Sequence, residues 1–144
     1  MLAPAVTRFS PVDLSDKAAW ILKKLKVLYP AKSEVVLANW LRMMANRNDC
    51  LFIRTPNAVA LAEVVVLNAM DEHPVIFERF VWCEDRQDHL HIEEAATLYN
   101  EFKRWARSMG VEKIIVNQFS DVPREQIKEV LGRLNTEQLS FARV

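Results

Sequence analysis

Three groups of side chains in this sequence have types and spacings that could do chemistry. The first is a pair of carboxylates, Glu63 and Glu78, on two neighbouring strand-like runs. If the hairpin between them is symmetric about Asp71 and Glu72, Glu63 opposes Phe80 and Glu78 opposes Val65. Both carboxylates then share one face with Leu61, Leu67, Ile76 and Trp82. A one-residue slip would send one of them to the opposite face. The plain structural use of the same pair is a salt bridge with Arg79 or a helix lysine, or exposure at a sheet edge. The second group is His89 and His91 with Glu93, residue types that can hold a metal ion. No other ligand motif accompanies them, so surface histidines at a helix start, and no metal, are expected. The third is Cys83, a possible acyl-carrying nucleophile whose apolar strand context reads instead as core. Cys50 and Cys83 have no metal spacing and read as reduced, buried cysteines of a cytosolic protein.

The bulk numbers narrow the partners. Lysine and arginine total 19 and so do aspartate and glutamate, giving a net charge of zero, whereas a generic nucleic-acid binder is basic. Only two glycines occur, Gly110 and Gly132, and loops that cradle phosphates need several. No stretch approaches the ~20 apolar residues of a membrane span. The start, MLAPAVTRF, has no long apolar core and no basic leader, so no signal peptide is expected. With 144 residues, 51% of them hydrophobic, the chain is expected to form one domain over residues 1–144 with its own core.

The elements that must position these groups follow from periodicity. Residues 6–9 can form a short strand. Ser10, Pro11 and Asp13 then have the pattern of N-cap, first helical residue and capping-box partner. Leu14, Ala18, Ile21, Leu25 and Leu28 make the buried stripe of that helix, and Pro30 stops it. Lys23, Lys24 and Lys26 form a small basic group that reads as a solvated face. Ser33 caps a second helix whose apolar face is Leu37, Trp40, Leu41 and Met44, with Val36 beside it. Three strand-like runs follow, at 50–54, 58–68 and 75–84, separated by short turns that predict an antiparallel meander. A long amphipathic helix comes next, with Ile92, Ala95, Tyr99, Phe102, Ala106 and Met109 at 3-4-3-4-3 spacing. Gly110 stands at the position that ends a helix in the left-handed conformation. Residues 114–116, Ile-Ile-Val, predict a doubly buried strand. Pro123 opens a short helix with Ile127, Val130, Leu131 and Leu134 inward, and residues 139–144 read as a last strand. The four tryptophans read as core anchors, except that Trp20, if exposed, would favour a protein-binding patch. The order β-α-α-β-β-β-α-β-α-β predicts a mixed α/β (α+β) domain with one parallel crossover, and helices on both faces of a central sheet.

That order resembles the GNAT superfamily of acyl-CoA N-acyltransferases. The most similar passage is residues 101–116, EFKRWARSMGVEKIIV, which matches the helix-glycine-strand ending of the family's CoA-binding motif. The resemblance implies that a loop before the long helix, R/Q-x-x-G-x-G/A, should hold the pyrophosphate of acetyl-CoA on backbone N–H groups and a helix dipole. Here Arg86, His89 and His91 fit the pattern with both glycines replaced by histidine. In the family's usual spacing back from Gly110, Leu90 takes the arginine place, and Glu93 and Ala95 take the glycine places. Residues 84–94 carry five carboxylates against one arginine, a net −4 with histidines neutral, which repels a pyrophosphate. Glu93 and Glu94 are expected to satisfy the helix N-terminus themselves.

The resemblance therefore implies two functions. The first is a GNAT-fold protein that has lost acyl-CoA binding, has no cofactor, and acts as an interaction or structural module with a protein partner or as a homo-oligomer. Small degenerate members of this kind resemble accessory and virion-associated proteins of tailed bacteriophages, which would place the chain in the cytoplasm or a virion. The alternative is an active N-acyltransferase that moves an acyl group from acetyl-CoA to an amine. In that case Arg86, His89, His91, Ile92 and Glu93 would face the cofactor, and Glu63 or Glu78 would be the general base. Many such enzymes also use a tyrosine near the C-terminal helix as general acid. This chain has only Tyr29 and Tyr99, and neither follows residue 116.

Overall fold

The meander, the crossover helix and the strand after it assemble around one sheet. The computed structural model describes residues 6–66, 74–84, 89–117 and 135–139, with β1 Thr7–Arg8, α1 Pro11–Leu28, α2 Glu34–Asn46, β2 Cys50–Thr55, β3 Ala58–Val65, β4 Val75–Cys83, α3 His89–Ser108, β5 Lys113–Asn117 and β6 Asn135–Leu139. The strands lie in sequence order. β1 to β4 pair antiparallel, and β4, β5 and β6 run parallel. The mixed sheet and its parallel crossover are as the periodicity predicts.

Local chemistry sets the helix ends. Ser10 is the N-cap of α1, and its hydroxyl and the Asp13 carboxylate close a reciprocal capping box, with Pro11 just inside. The Ser33 hydroxyl accepts from the Val36 N–H at the start of α2. α3 ends in a Schellman motif: Gly110 has φ +69°, the Val111 N–H donates to Ala106 O at 2.9 Å, and the Gly110 N–H donates to Arg107 O at 3.2 Å. Met109, placed on the buried stripe by spacing alone, is 45% exposed because the helix has already ended at Ser108. Val36 is likewise exposed, since Leu37, Leu41 and Met44 define the inward face of α2.

The sheet separates two core layers. On one face, Ala58, Ala60 and Ala62 of β3 present small side chains. They leave room for Ala95, Leu98, Tyr99, Phe102 and Ala106 of α3, all fully buried. On the other, Val59 and Leu61 pack under α1 and α2 with Ile21, Leu25, Leu37 and Leu41. An aromatic series runs through this second layer: Phe9 stacks on Phe52 at 4.1 Å, Phe52 meets Phe80 edge-on at 5.9 Å, and Phe80 stacks on Trp82 at 4.0 Å. Each fully buried side chain of this size contributes about 1.5–3 kcal/mol relative to exposure. Lys23 and Lys26 are exposed, as a solvated face requires, but Lys24 turns back over the Trp82 ring at 5.6 Å.

At the C-terminal end the observed strand is Asn135–Leu139, parallel to β5, rather than one beginning at Leu139. Its residues have little β propensity. The parallel ladder with β5 supplies the hydrogen bonds that outweigh it. The helix expected from Pro123 and residues 140–144 lie outside the described residues. Among the described residues, no helix is long and apolar enough to cross a membrane.

Candidate functional site

The site is built on β4, where two departures from a regular ladder coincide. The first is a bulge opposite β3: Leu61 pairs with Phe80 and Ala62 with Glu78, so the register shifts by one residue at Arg79. The second is on the β5 side. The ladder consists of Ile76 with Ile114 and Phe77 with Ile115, and ends there although both strands continue. β4 and β5 therefore part at the level of the bulge.

The bulge corrects the placement of the two carboxylates. Glu63 pairs with Phe77, not Phe80, and Glu78 pairs with Ala62, not Val65. One extra residue on β4 flips the faces beyond it, so Glu63 points to the α1–α2 layer and Glu78 to the α3 layer. The two are not brought together. Glu63 is 6% exposed and accepts from Arg79 Nη2 at 2.8 Å, with Arg47 Nη1 at 3.9 Å. Arg47 in turn is paired with Asp49 at 2.6 Å, and that bond raises the arginine's pKa and lowers the aspartate's. The Arg79 guanidinium also lies 4.7 Å from the Phe77 ring centroid. Glu78 is fully buried and accepts a hydrogen bond from the Tyr99 hydroxyl. Tyr99 reads in the sequence only as a stripe residue. A buried tyrosine hydroxyl needs a partner, and that need was the available signal for Glu78.

Cys50 stands opposite Glu63 in the β2–β3 ladder and is 1% exposed. Burial pushes its thiol up to about 11. Arg47 opposes the shift, and Glu63 and Asp49 add to it. Cys83 is also a free, buried cysteine.

The start of α3 differs from expectation as well. The helix begins at His89, so Glu93 and Glu94 fall beyond its first turn, which holds no acid. They do not satisfy the helix N-terminus. Glu93 is exposed. Glu94 is buried and accepts from the Asn57 N–H at 3.2 Å and from Asn57 Nδ2 at 2.9 Å. Asn57 O accepts from the Glu84 N–H at 2.8 Å, so the β2–β3 turn ties the end of β4 to α3. His89, His91 and Ile92 belong to the first turn of α3, their side chains outside the described set, and Arg86 lies outside it altogether.

Two depressions flank these elements. One of about 340 Å³ lies at the C-terminal end of α1 and along α2, lined by Tyr29, Lys32, Val36, Leu37, Trp40 and Arg79. The other, about 540 Å³ and more polar, runs along the outer side of α3, where Arg104 pairs with Glu101 at 2.8 Å. Trp20 is half-buried against the α1–α2 core with Lys24 6.0 Å from its ring, and Trp40 lines the first of these grooves.

No protein-family model matches the sequence. No curated protein matches it either. Solved structures do match the fold. The aminoglycoside 6'-N-acetyltransferase AAC(6')-Ih from Acinetobacter baumannii superposes with a TM-score of 0.62 at 20% identity, over 94% of this chain and 93% of that one. An acetyltransferase from Vibrio fischeri gives 0.59 at 12% identity, over 83% of this chain and 96% of that one. The aminoglycoside N-acetyltransferase AAC(6')-Iy, in complex with CoA, gives 0.54 at 15% identity, over 94% and 90%. The forked β4–β5 pair within a mixed sheet, covered by α1 and α2 on one face and α3 on the other, is the GNAT-like fold of these acetyltransferases.

Proposed function

We propose that this chain is a GNAT-fold protein that has lost acyl-CoA binding and works as a protein-interaction module. The observation that carries the proposal is the early start of α3 at His89. In the spacing counted back from Gly110, Leu90, Glu93 and Ala95 occupy the phosphate-loop positions, and all three lie within the helix. Backbone N–H groups beyond the first turn of a helix are engaged by carbonyls four residues back. Those of Glu93 to Ala95 are then unavailable to a pyrophosphate. The net −4 of residues 84–94 opposes the same anion.

The carboxylates add support. A general base needs a free lone pair within reach of the substrate amine. Glu63 is held by arginines and Glu78 is sealed beneath α3 with Tyr99. The competing acetyltransferase reading has the β4–β5 fork in its favour, because an acyl chain could lie where the ladder ends.

Calorimetric titration with acetyl-CoA separates the two, with the CoA-bound AAC(6')-Iy fold as positive control. No saturable heat is expected up to about 1 mM ligand. A dissociation constant in the micromolar range would overturn the proposal.

A further inference from the structure

We infer that the groove between the end of α1 and α2 is the docking site for an acidic, apolar segment of a partner protein. This deepens the interaction reading and rests on it. The groove, about 340 Å³, has an apolar wall of Tyr29, Val36, Leu37 and Trp40 and two cations, Lys32 and Arg79, and no acid lines it among the described residues. Arg79 shares its charge with the buried Glu63. Lys32 has no acidic partner among the described residues, and the Lys26 ammonium sits on its carbonyl oxygen, adding positive charge at the same rim. The N-terminal end of α2 lies beside the same rim, where the exposed Glu34 of its first turn offsets the helix dipole, so the positive charge there is that of Lys32 and Lys26.

Size distinguishes a protein segment from a small acid. Val36, Trp40 and Met43 follow one another at helical spacing, so the apolar stripe spans about 10 Å and runs about one turn past the groove. Val36 is 50% exposed, Met43 53% and Tyr29 46%. A stripe of two helical turns suits two apolar anchors on a partner segment, and the Lys32 end selects an adjacent carboxylate.

The test uses the full chain, labelled with nitrogen-15, and three probes. The first is an acetylated, amidated hexapeptide of alternating leucine and glutamate. The second has lysine for every glutamate. The third is N-acetyl-leucine. The acidic peptide should shift the amides of Lys32, Val36 and Leu37 and the Trp40 indole. The lysine peptide should shift none of them. K32E should weaken the acidic peptide at least about fivefold, and V36D, at an exposed position, should weaken it without loss of the folded spectrum. Unmoved groove signals, or equal affinity for both peptides, would overturn the site. N-acetyl-leucine binding as tightly as the acidic peptide would overturn the protein-segment assignment. Acetyl-CoA titrated into the same samples isolates the two claims. Its binding would overturn the interaction module, whereas a silent peptide with silent acetyl-CoA would overturn only the groove.

Discussion

Glu63 and Glu78 are the same residue type on adjacent strands, yet each is fixed by a different layer. Glu63 closes a surface-edge chain of charges through Arg79 and Arg47 to Asp49. Glu78 has no exposure and takes a hydrogen bond from Tyr99, whose ring is itself fully buried in the α3 layer and meets Phe102 edge-on at 5.9 Å. The hydroxyl is thus the one polar atom on a residue otherwise held by packing. Tyr99→Phe keeps the ring and removes one donor from a buried carboxylate. The expected cost is about 1–3 kcal/mol, because the acceptor left behind stays desolvated. Urea unfolding at neutral pH measures it. A variant within about 0.5 kcal/mol of wild type would mean that Glu78 is satisfied well enough by its other surroundings.

At the scale of elements, α1 is attached to the sheet through its first turn. Asp13 accepts from the Ser10 N–H at 2.9 Å and pairs with Arg54 of β2 at 2.7 Å. Partial burial alone would raise its pKa, but the hydrogen bonds from Ser10 and the pairing with Arg54 outweigh it and hold the carboxyl below its ordinary value. A depressed carboxylate stabilises the fold fully above its ordinary pKa of 3.8, and that contribution fades as pH falls through the lower folded value. Asp13→Ala should therefore cost about 0.5–2 kcal/mol at pH 7, and the gap to wild type should narrow as pH falls below the ordinary 3.8 through the lowered folded value. Denaturant curves across that range check it, and a gap independent of pH would remove the charge from the argument. This turn was legible in the sequence because Ser10 and Asp13 bond to each other within four residues, with Pro11 between them at the first helical position. The Gly110 stop and the inward stripes of α1, α2 and α3 were legible for the same reason. The site was not. Whether Glu63 and Glu78 share a face depends on one extra residue, the bulged Arg79, in a ladder between strands whose residues pair up to 25 positions apart. Local periodicity carries no mark of such a bulge. The start of α3 escaped in the same way, since Glu94 was free to cap a helix or to clamp Asn57 across the fold, and tertiary placement chose the clamp.

For the whole molecule, the central question is whether two core layers on one sheet behave as one cooperative unit. β3 serves both, with alternating alanines toward α3 and larger residues toward α1 and α2. Removing either layer would therefore expose the back of a strand that the other still needs. The two cysteines report the layers separately, since Cys50 packs in the α1–α2 layer and Cys83 in the α3 layer. Both are buried, so in the closed state neither sulfur is accessible to a reagent, and the Cys50 thiol, pushed up to about 11, also presents no thiolate at pH 8. That raised value also withdraws stability as pH climbs from the ordinary 9.0 towards it. Labelling at pH 8 must then proceed through opening, and its rate, divided by that of an unfolded thiol, gives the opening free energy at each site. Cys50→Ala and Cys83→Ala each leave one reporter. If the shared sheet couples the layers, both sites should open with the same free energy within about 0.5 kcal/mol of each other and of the global unfolding value. If α1 and α2 instead detach as a unit, the thiol at Cys50 will label with an opening free energy lower by more than about 1 kcal/mol while Cys83 stays protected. That outcome would make the α1–α2 layer, which carries the proposed docking groove, a separately mobile element on a rigid sheet.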